Sequence, residues 1–425
     1  MAIYKPAPPA SLPSQASHVP FHGGLILCLS CLAVFLSGPA QTYGVSIFID
    51  PIIVEFGWSR SLVATLYSVA TLLGGIPLVI AGRQIDRVGS RIVLTVAAIG
   101  FGLSLLWLSW VGTPLALLMG FMVLRSCGSG ILTMGARTLV PHWFVRRRGR
   151  AFSIIGIASA LSLAIIPRVN EALIDHVGWR SAWRLLGIVI LVVLVPMLAL
   201  LVRSRPEEVG EYPDGAVPPE GVTAQSLVEN ERNEWTLGEA KQTRAFWVLL
   251  LAGFVPALVL TGVSFHQSSM LSARGLPSSL TATIFAFESG VALPLTLLAG
   301  WLVDRYQTRY VLAAAQSCLL AALVVLMLAD SIPLALLYGA LRGASVGLFT
   351  VSFDYAWVSY FGKRHLGSIR GMTFAVGTIG AAIGPIPPGF VFDATGSYGS
   401  AVLAYMLLPA AAMVLAYTTG RPRKA

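Results

Sequence analysis

The sequence predicts an all-α membrane protein in which twelve transmembrane helices form two pseudo-symmetric six-helix halves. Three observations predict it. The 425 residues are 56% hydrophobic and only 11% charged, with a mean hydropathy of +0.77, a makeup far from that of soluble domains. Apolar runs of about twenty residues recur, each long enough to cross a hydrocarbon core of roughly 30 Å as a helix. A charged loop motif returns 218 positions after its first occurrence, which marks an internal repeat.

The first 22 residues, MAIYKPAPPASLPSQASHVPFH, lack the basic start and small-residue cleavage pattern of a secretory signal. Their proline and serine content predicts a disordered cytoplasmic tail. Spans 1 to 6 are predicted at 25–47, 61–82, 92–110, 115–140, 151–174 and 182–202, within a first half at 23–202. Spans 7 to 12 are predicted at 246–268, 281–303, 310–329, 332–358, 371–393 and 399–419, within a second half at 245–420. Between the halves, residues 203–244 form a hydrophilic linker with nine acidic residues, five basic residues and four prolines. It holds no histidine or cysteine, so it offers no catalytic constellation, and a membrane enzyme or a transport-dead sensor is disfavoured. Cys28, Cys31, Cys127 and Cys318 all fall in apolar runs and read as packed thiols with no metal or redox role. No phosphate-binding GxxxxGK[ST] loop occurs, and no cofactor is implied.

Orientation follows from lysine and arginine, which stay cytoplasmic. Arg83, Arg87 and Arg91 follow span 2, Arg146 to Arg150 follow span 4, Arg305 and Arg309 follow span 8, and Lys363, Arg364 and Arg370 follow span 10. The other loops carry few cations, so both termini are expected inside a cell inner membrane. This asymmetry accounts for the net charge of +10, and no nucleic-acid partner is needed.

The repeat runs deeper than one loop. GRQIDRVGSR (82–91) aligns with GWLVDRYQTR (300–309), so that Asp86 matches Asp304, Arg87 matches Arg305, and Arg91 matches Arg309. The same offset aligns YGVSIF (43–48) with TGVSFH (261–266); it slips by one where LRSCGSGILT (124–133) meets LRGASVGLFT (341–350). Parallel repeats of this kind place a solute site near the midplane between the halves.

The pattern GxxxDRxGxR between spans 2 and 3, its degenerate copy between spans 8 and 9, and an arginine with a glycine cluster in span 4 resemble the major facilitator superfamily over residues 23–420. FGWSRS (56–61) and GWRSAW (178–183) resemble its bacterial branch related to monocarboxylate and oxalate/formate transporters. The resemblance implies a monomeric secondary transporter that moves a small organic solute by alternating access, with symport expected, protons the candidate partner and the coupling ion left open by the sequence. It also implies that Asp86, with Gly82, Arg87, Gly89 and Arg91, latches onto the start of span 11 near Gly371. Asp304 with Arg305 would do the same at the start of span 5 near Ala151. The plainer alternative is that these charges only fix topology.

Candidate site residues follow from charge and depth. Arg125 lies about ten residues, or roughly 15 Å, from the outer end of span 4, and Arg342 is its repeat equivalent in span 10. Ionisable groups at such depth are functional candidates, although the neighbouring glycines also fit close helix packing. Glu288 is the one charge inside span 8 and is a candidate proton carrier or a structural acid. His266 and Gln267 are expected as polar tips near the outer end of span 7. Tyr43 and Tyr355, with Phe48 and Trp357, are cavity-lining or packing aromatics. Arg137 and Asp354 occupy equivalent cytoplasmic positions and are expected to meet as a partly hydrated pair, worth about 1 kcal/mol or less, across the two halves.

The look-alike transporters anchor carboxylates with an arginine in span 8, and some add a lysine in span 11. This chain has neither. Uptake of a monocarboxylate-like anion is the primary expectation; a neutral or amphipathic vitamin-like heterocycle, or export of small metabolites, remains the alternative.

Overall fold

The computed structural model describes residues 22–58, 60–215, 234–277 and 280–422. The amino-terminal stretch before His22 and residues 216–233 of the linker lie outside the described residues. All regular structure among the described residues is helical.

Eleven continuous helical stretches are long and apolar enough to cross a membrane, and one of them counts twice. Arg148–Val189 joins spans 5 and 6 through Gly178, whose φ of 77° is non-helical and reverses the chain. Glycine adopts that backbone without the steric penalty other residues incur. The continuation Ile190–Leu194 is a π turn and Val195–Leu201 is α-helical, which completes twelve spans.

Several spans are broken where the sequence reading drew them whole. Span 1 consists of His22–Leu36 and Thr42–Phe56 around a 3-10 turn at Gly38–Ala40, because Pro39 lacks a backbone N–H and cannot extend the ladder. Span 2 is Arg60–Gly74 followed by Ile76–Val88. Span 3 is Ser90–Leu108. Span 4 contains a π-helical segment, Arg125–Leu132, between Pro114–Leu124 and Thr133–Trp143. In the second half, spans 7 to 10 are Arg244–Ser272, Leu280–Arg305, Thr308–Leu328 and Ile332–Phe361. Span 11 breaks at Gly384 and Pro385 into Leu366–Ile383 and Ile386–Thr395, and span 12 is Gly399–Thr418.

Large apolar side chains such as Val96, Leu103, Phe390 and Leu407 stay exposed on the outside of the bundle, as lipid-facing positions should. Lipid tails are as apolar as leucine, so burial does not drive these helices together; small residues and polar contacts do. Trp143, Trp183 and Trp357 fill the interior. At the end of the molecule opposite the arginine-rich loops, Glu55 ties the end of span 1 to the turn at Gly178. It accepts from Trp179 Nε1 at 2.6 Å and Arg180 Nη2 at 2.7 Å, and Arg180 also donates to the Ser109 and Val111 carbonyls.

The halves meet along two seams, span 2 on span 11 and span 5 on span 8. A β-carbon at Gly82 would lie 2.2 Å from the Gly367 carbonyl, and one at Gly149 would lie 2.3 Å from that of Gly300. Backbone touches backbone at both places. Contact continues to Gly75 beside Ala375 and to Gly156 beside Thr296, roughly 12 Å up each seam. This form is therefore closed on its basic face.

Gly82→Ala should disfavour this closed packing by about 1–3 kcal/mol, the usual cost of inserting a methyl where none fits. The measurement is thiol labelling of Ile85→Cys, a position only 5% exposed, in a background cleared of the four native cysteines. Faster labelling is expected; an unchanged rate would show that the seam tolerates the methyl.

Candidate functional site

The repeated aspartates sit at the two seams. Asp86 accepts from the Gly367 N–H at 2.8 Å and the Ser368 N–H at 2.7 Å, and the Ser368 hydroxyl donates to it as well. These are the first amides of the span 11 helix, which carry partial positive charge and have no intrahelical acceptor. Asp304 accepts from the Gly149 N–H at 3.0 Å at the start of span 5. The partners obey the repeat too, since 304 − 86 and 367 − 149 both equal 218. The contacts thus fall four residues before Gly371 and two before Ala151. Gly89, at φ 89°, ends the span 2 helix in a conformation that suits glycine. Arg91 Nε donates to the Ala199 carbonyl at 2.6 Å and ties span 3 to span 6. Arg305 lies 4.4 Å over the Trp301 ring, and Arg87 is exposed.

Further along the seam, Arg137 and Asp354 are bonded across the halves. They do not form the isolated, partly hydrated pair that their positions near the inner mouth imply. Asp354 is 4% exposed and accepts a second arginine, Arg370, at 2.5 Å. Arg137 Nη2 also donates to Ser159 at 3.2 Å. Arg370 counts in the sequence among the basic residues of the loop, yet it is 1% exposed, and its Nε and Nη1 have no hydrogen-bond partner among the described residues. No signal in the sequence separates it from Lys363 and Arg364, because its burial depends on which way the span 11 helix is turned.

The two equivalent arginines at mid-depth have very different surroundings. Arg342 Nη1 donates to Gln267 Oε1 and to the Tyr338 hydroxyl, both at 2.7 Å, and Nη2 donates to Ser264 at 2.8 Å. Glu288 pairs with it, Oε2 lying 3.3 Å from Nε, and Nη2 also donates to Glu288 Oε1 at 3.5 Å. Arg125 has one protein acceptor, the Ala40 carbonyl, at 2.9 Å. Its guanidinium carbon lies 5.3 Å from the Tyr67 ring centre, and its Nε is unpartnered among the described residues.

The repeat accounts for the difference. The positions equivalent to Gln267, Glu288 and Tyr338 are Ile49, Ala70 and Phe121, and only Ser264 has a polar equivalent, Ser46, so the first half lacks three of the four side chains that surround Arg342. The π turn begins at Arg125 itself, and such turns recur at functional sites. A β-carbon at Gly128 would lie 2.5 Å from that of Ala40, so this glycine lets the broken part of span 1 reach the arginine. Gln41 extends the polar pocket, accepting from Ser129 at 3.3 Å.

Other candidates land elsewhere. Gln267 is not an interfacial tip but a fully buried acceptor for Arg342. His266 Nε2 lies 2.9 Å from the Pro385 carbonyl at the break in span 11, and its Nδ1 lies 3.4 Å from the Tyr398 hydroxyl. Tyr43 donates to Ser162 at 3.0 Å. Tyr355 packs on the core near Arg148 and Asp304, at the basic face and away from mid-depth. Phe48 stacks on Trp183, and Trp357 is buried among phenylalanines, so neither lines a cavity.

Asp354→Asn leaves two buried guanidiniums without a counter-charge and should cost about 3–5 kcal/mol. Removing one of the cations as well, in Asp354→Asn/Arg137→Gln, should recover part of that loss. Thermal unfolding of the two variants checks this; a double variant no more stable than the single one would show that the charges are not coupled.

A model of the Major Facilitator Superfamily matches residues 28–385 and 271–424. The chain is 24% identical over 367 residues to YcxA, an uncharacterized MFS-type transporter of Bacillus subtilis, covering 83% of this chain and 84% of that one. It is 25% identical to a probable L-galactonate transporter of Escherichia coli, with coverage of 82% and 79%. It is 22% identical to monocarboxylate transporter 12 of Rattus norvegicus, with coverage of 89% and 82%. Among solved structures, the proton:xylose symporter XylE bound to 6-bromo-6-deoxy-D-glucose superposes with a TM-score of 0.69 at 14% identity, covering 92% of this chain and 94% of that one. With twelve spans, two seams related by one repeat and a family match along nearly its whole length, the chain belongs to the major facilitator superfamily, a family of multi-pass membrane transporters and not of enzymes.

Proposed function

We propose that the protein takes up a small organic anion of the monocarboxylate type across the inner membrane by alternating access, in symport with protons. Both termini are cytoplasmic in this reading, which puts the arginine-rich face inside by the positive-inside rule. The form described is then closed toward the cytoplasm.

The observation that carries the reading is the unequal neutralisation of the two mid-depth arginines. Arg342 is paired with Glu288, whereas Arg125 has no carboxylate partner among the described residues and keeps a donor unused. A charge at this depth is costly without a counter-charge, and a guanidinium presents its donors in the fork that suits a carboxylate. The solute carboxylate supplies what the first half lacks, with Tyr67 and Gln41 alongside. The names of two relatives, a probable L-galactonate transporter and monocarboxylate transporter 12, both denote carboxylate cargo and support the same class.

Glu288 is the proton carrier in this scheme. It is the most weakly held partner of Arg342, at 3.3 Å against 2.7–2.8 Å for the neutral ones. Protonating it leaves Arg342 bonded to Gln267, Tyr338 and Ser264, so the cluster survives the step. The latches and the Arg137–Asp354–Arg370 triad form the inner gate, which must open and re-form in each cycle.

Two measurements in proteoliposomes test this. Arg125→Gln should lower the affinity for monocarboxylates 10- to 100-fold, the equivalent of about 1.4–2.8 kcal/mol, with a smaller change in maximal rate. Unchanged anion affinity, together with uptake of neutral heterocycles, would favour the alternative solute class. Glu288→Gln should abolish accumulation driven by a pH gradient while solute exchange persists; gradient-driven accumulation at the wild-type level would eliminate Glu288 as carrier.

A further inference from the structure

Beside the Asp86 latch, on the basic face, lies a polar cavity of about 360 Å³ that the transport reading does not use. Its walls come from both halves. The loop after span 2 and His142 at the end of span 4 belong to the first half, Arg205 and Glu208 lie at the start of the linker, carried on the end of span 6 in that half, and Arg364 belongs to the second half.

Three exposed guanidiniums, those of Arg87, Arg205 and Arg364, line this cavity, and the Glu234 carboxylate, which accepts the Arg364 backbone amide, offsets part of the charge at Arg364. Two carboxylates share the walls, but both are engaged. Asp86 is held by the Gly367 and Ser368 amides, and Glu208 Oε2 accepts from the Ser204 N–H at 3.2 Å. Arg148 and Lys363 add positive charge around His142. Ser90, the first residue of the 19-residue span 3 helix, also faces the cavity, so the positive end of that helix dipole points into it. Guanidiniums gathered about a helix N-terminus are the chemistry that binds phosphate.

We propose that this cavity binds a phosphate group, either of a soluble compound or of an anionic lipid headgroup, and that the bound group bridges the two halves. Because Arg364 comes from one half and Arg87 and Arg205 from the other, the cation cluster exists only while the basic face is closed. A ligand that binds one form better shifts the population toward it, so bound phosphate stabilises the closed form.

The test uses the purified chain in nanodiscs of phosphatidylcholine, whose headgroup has no net charge, in chloride buffer. Inorganic phosphate is titrated while thermal unfolding is followed by tryptophan fluorescence, with sodium chloride of matched ionic strength as the control. In a parallel set, part of the phosphatidylcholine is replaced by phosphatidylglycerol. A saturable rise in midpoint of about 2–5 °C is expected with at least one probe. A rise with phosphate alone identifies a soluble ligand, and a rise with phosphatidylglycerol alone identifies a lipid headgroup; either supports the proposal. Arg205→Gln and Arg364→Gln, one in each half, should each lose the response while unfolding as the wild type does in chloride. No rise with either probe overturns the site, as does a rise that survives in both variants. Loss in one variant only overturns the bridge between the halves.

Discussion

Two helix N-termini, at the starts of spans 5 and 11, point at the opposite half of the molecule, and each finds a carboxylate there. The amides of Gly149 and Gly367 need an acceptor in a medium that supplies little water, and Asp304 and Asp86 provide it. The bond is possible only because Gly300 and Gly82 let the backbones touch. Other contacts of this form depend on that approach, since a methyl group at either seam would separate the helices that carry the Arg137–Asp354 bond and the cation-lined cavity. The two latches are unequal: Asp86 takes two amides and the Ser368 hydroxyl, whereas Asp304 takes the amides of Gly149 and Arg150, and the residue equivalent to Ser368 is Arg150, which has no hydroxyl.

Charge is distributed unequally at mid-depth as well. Duplication gave each half an arginine in the same place, and later divergence surrounded only one of them with partners. Arg342 sits among Gln267, Tyr338, Ser264 and Glu288; Arg125 rests against one carbonyl and one ring. In a low-dielectric interior this asymmetry leaves Arg342 compensated by its neighbours and is the basis for proposing Arg125 as the arginine that takes the solute. The π turn that begins at Arg125 and the proline break in span 1 come together at this position.

The inner gate obeys the same constraint on buried charge. If Asp354 met Arg137 alone, separating the halves would strand a buried carboxylate. Arg370 lies in the same half as Asp354 and bonds its other oxygen, so Asp354 keeps a partner when Arg137 departs. Arg137 in turn retains Ser159 within its own half. Each of the two residues therefore has a bond within its own half besides the one across the seam.

Much of the fold was legible in the residue order, because hydrophobic length, the cation bias of alternate loops and the 218-residue repeat are properties of the chain itself. The same is true of the candidate positions Asp86, Asp304, Arg125 and Arg342, which the repeat marks in pairs. The partners of those residues were not legible. Repeat equivalence says that two positions are alike, but a hydrogen bond between halves depends on how helices distant in sequence are rotated and how closely they approach. Arg370 therefore read as a loop cation and proved buried, Gln267 read as an interfacial tip and proved a core acceptor, and Tyr355 read as a cavity residue and lies near the basic face. Span length and sidedness come from local composition acting against the bilayer, whereas the pairing of buried charges comes from packing geometry, which exists only once the two halves have met.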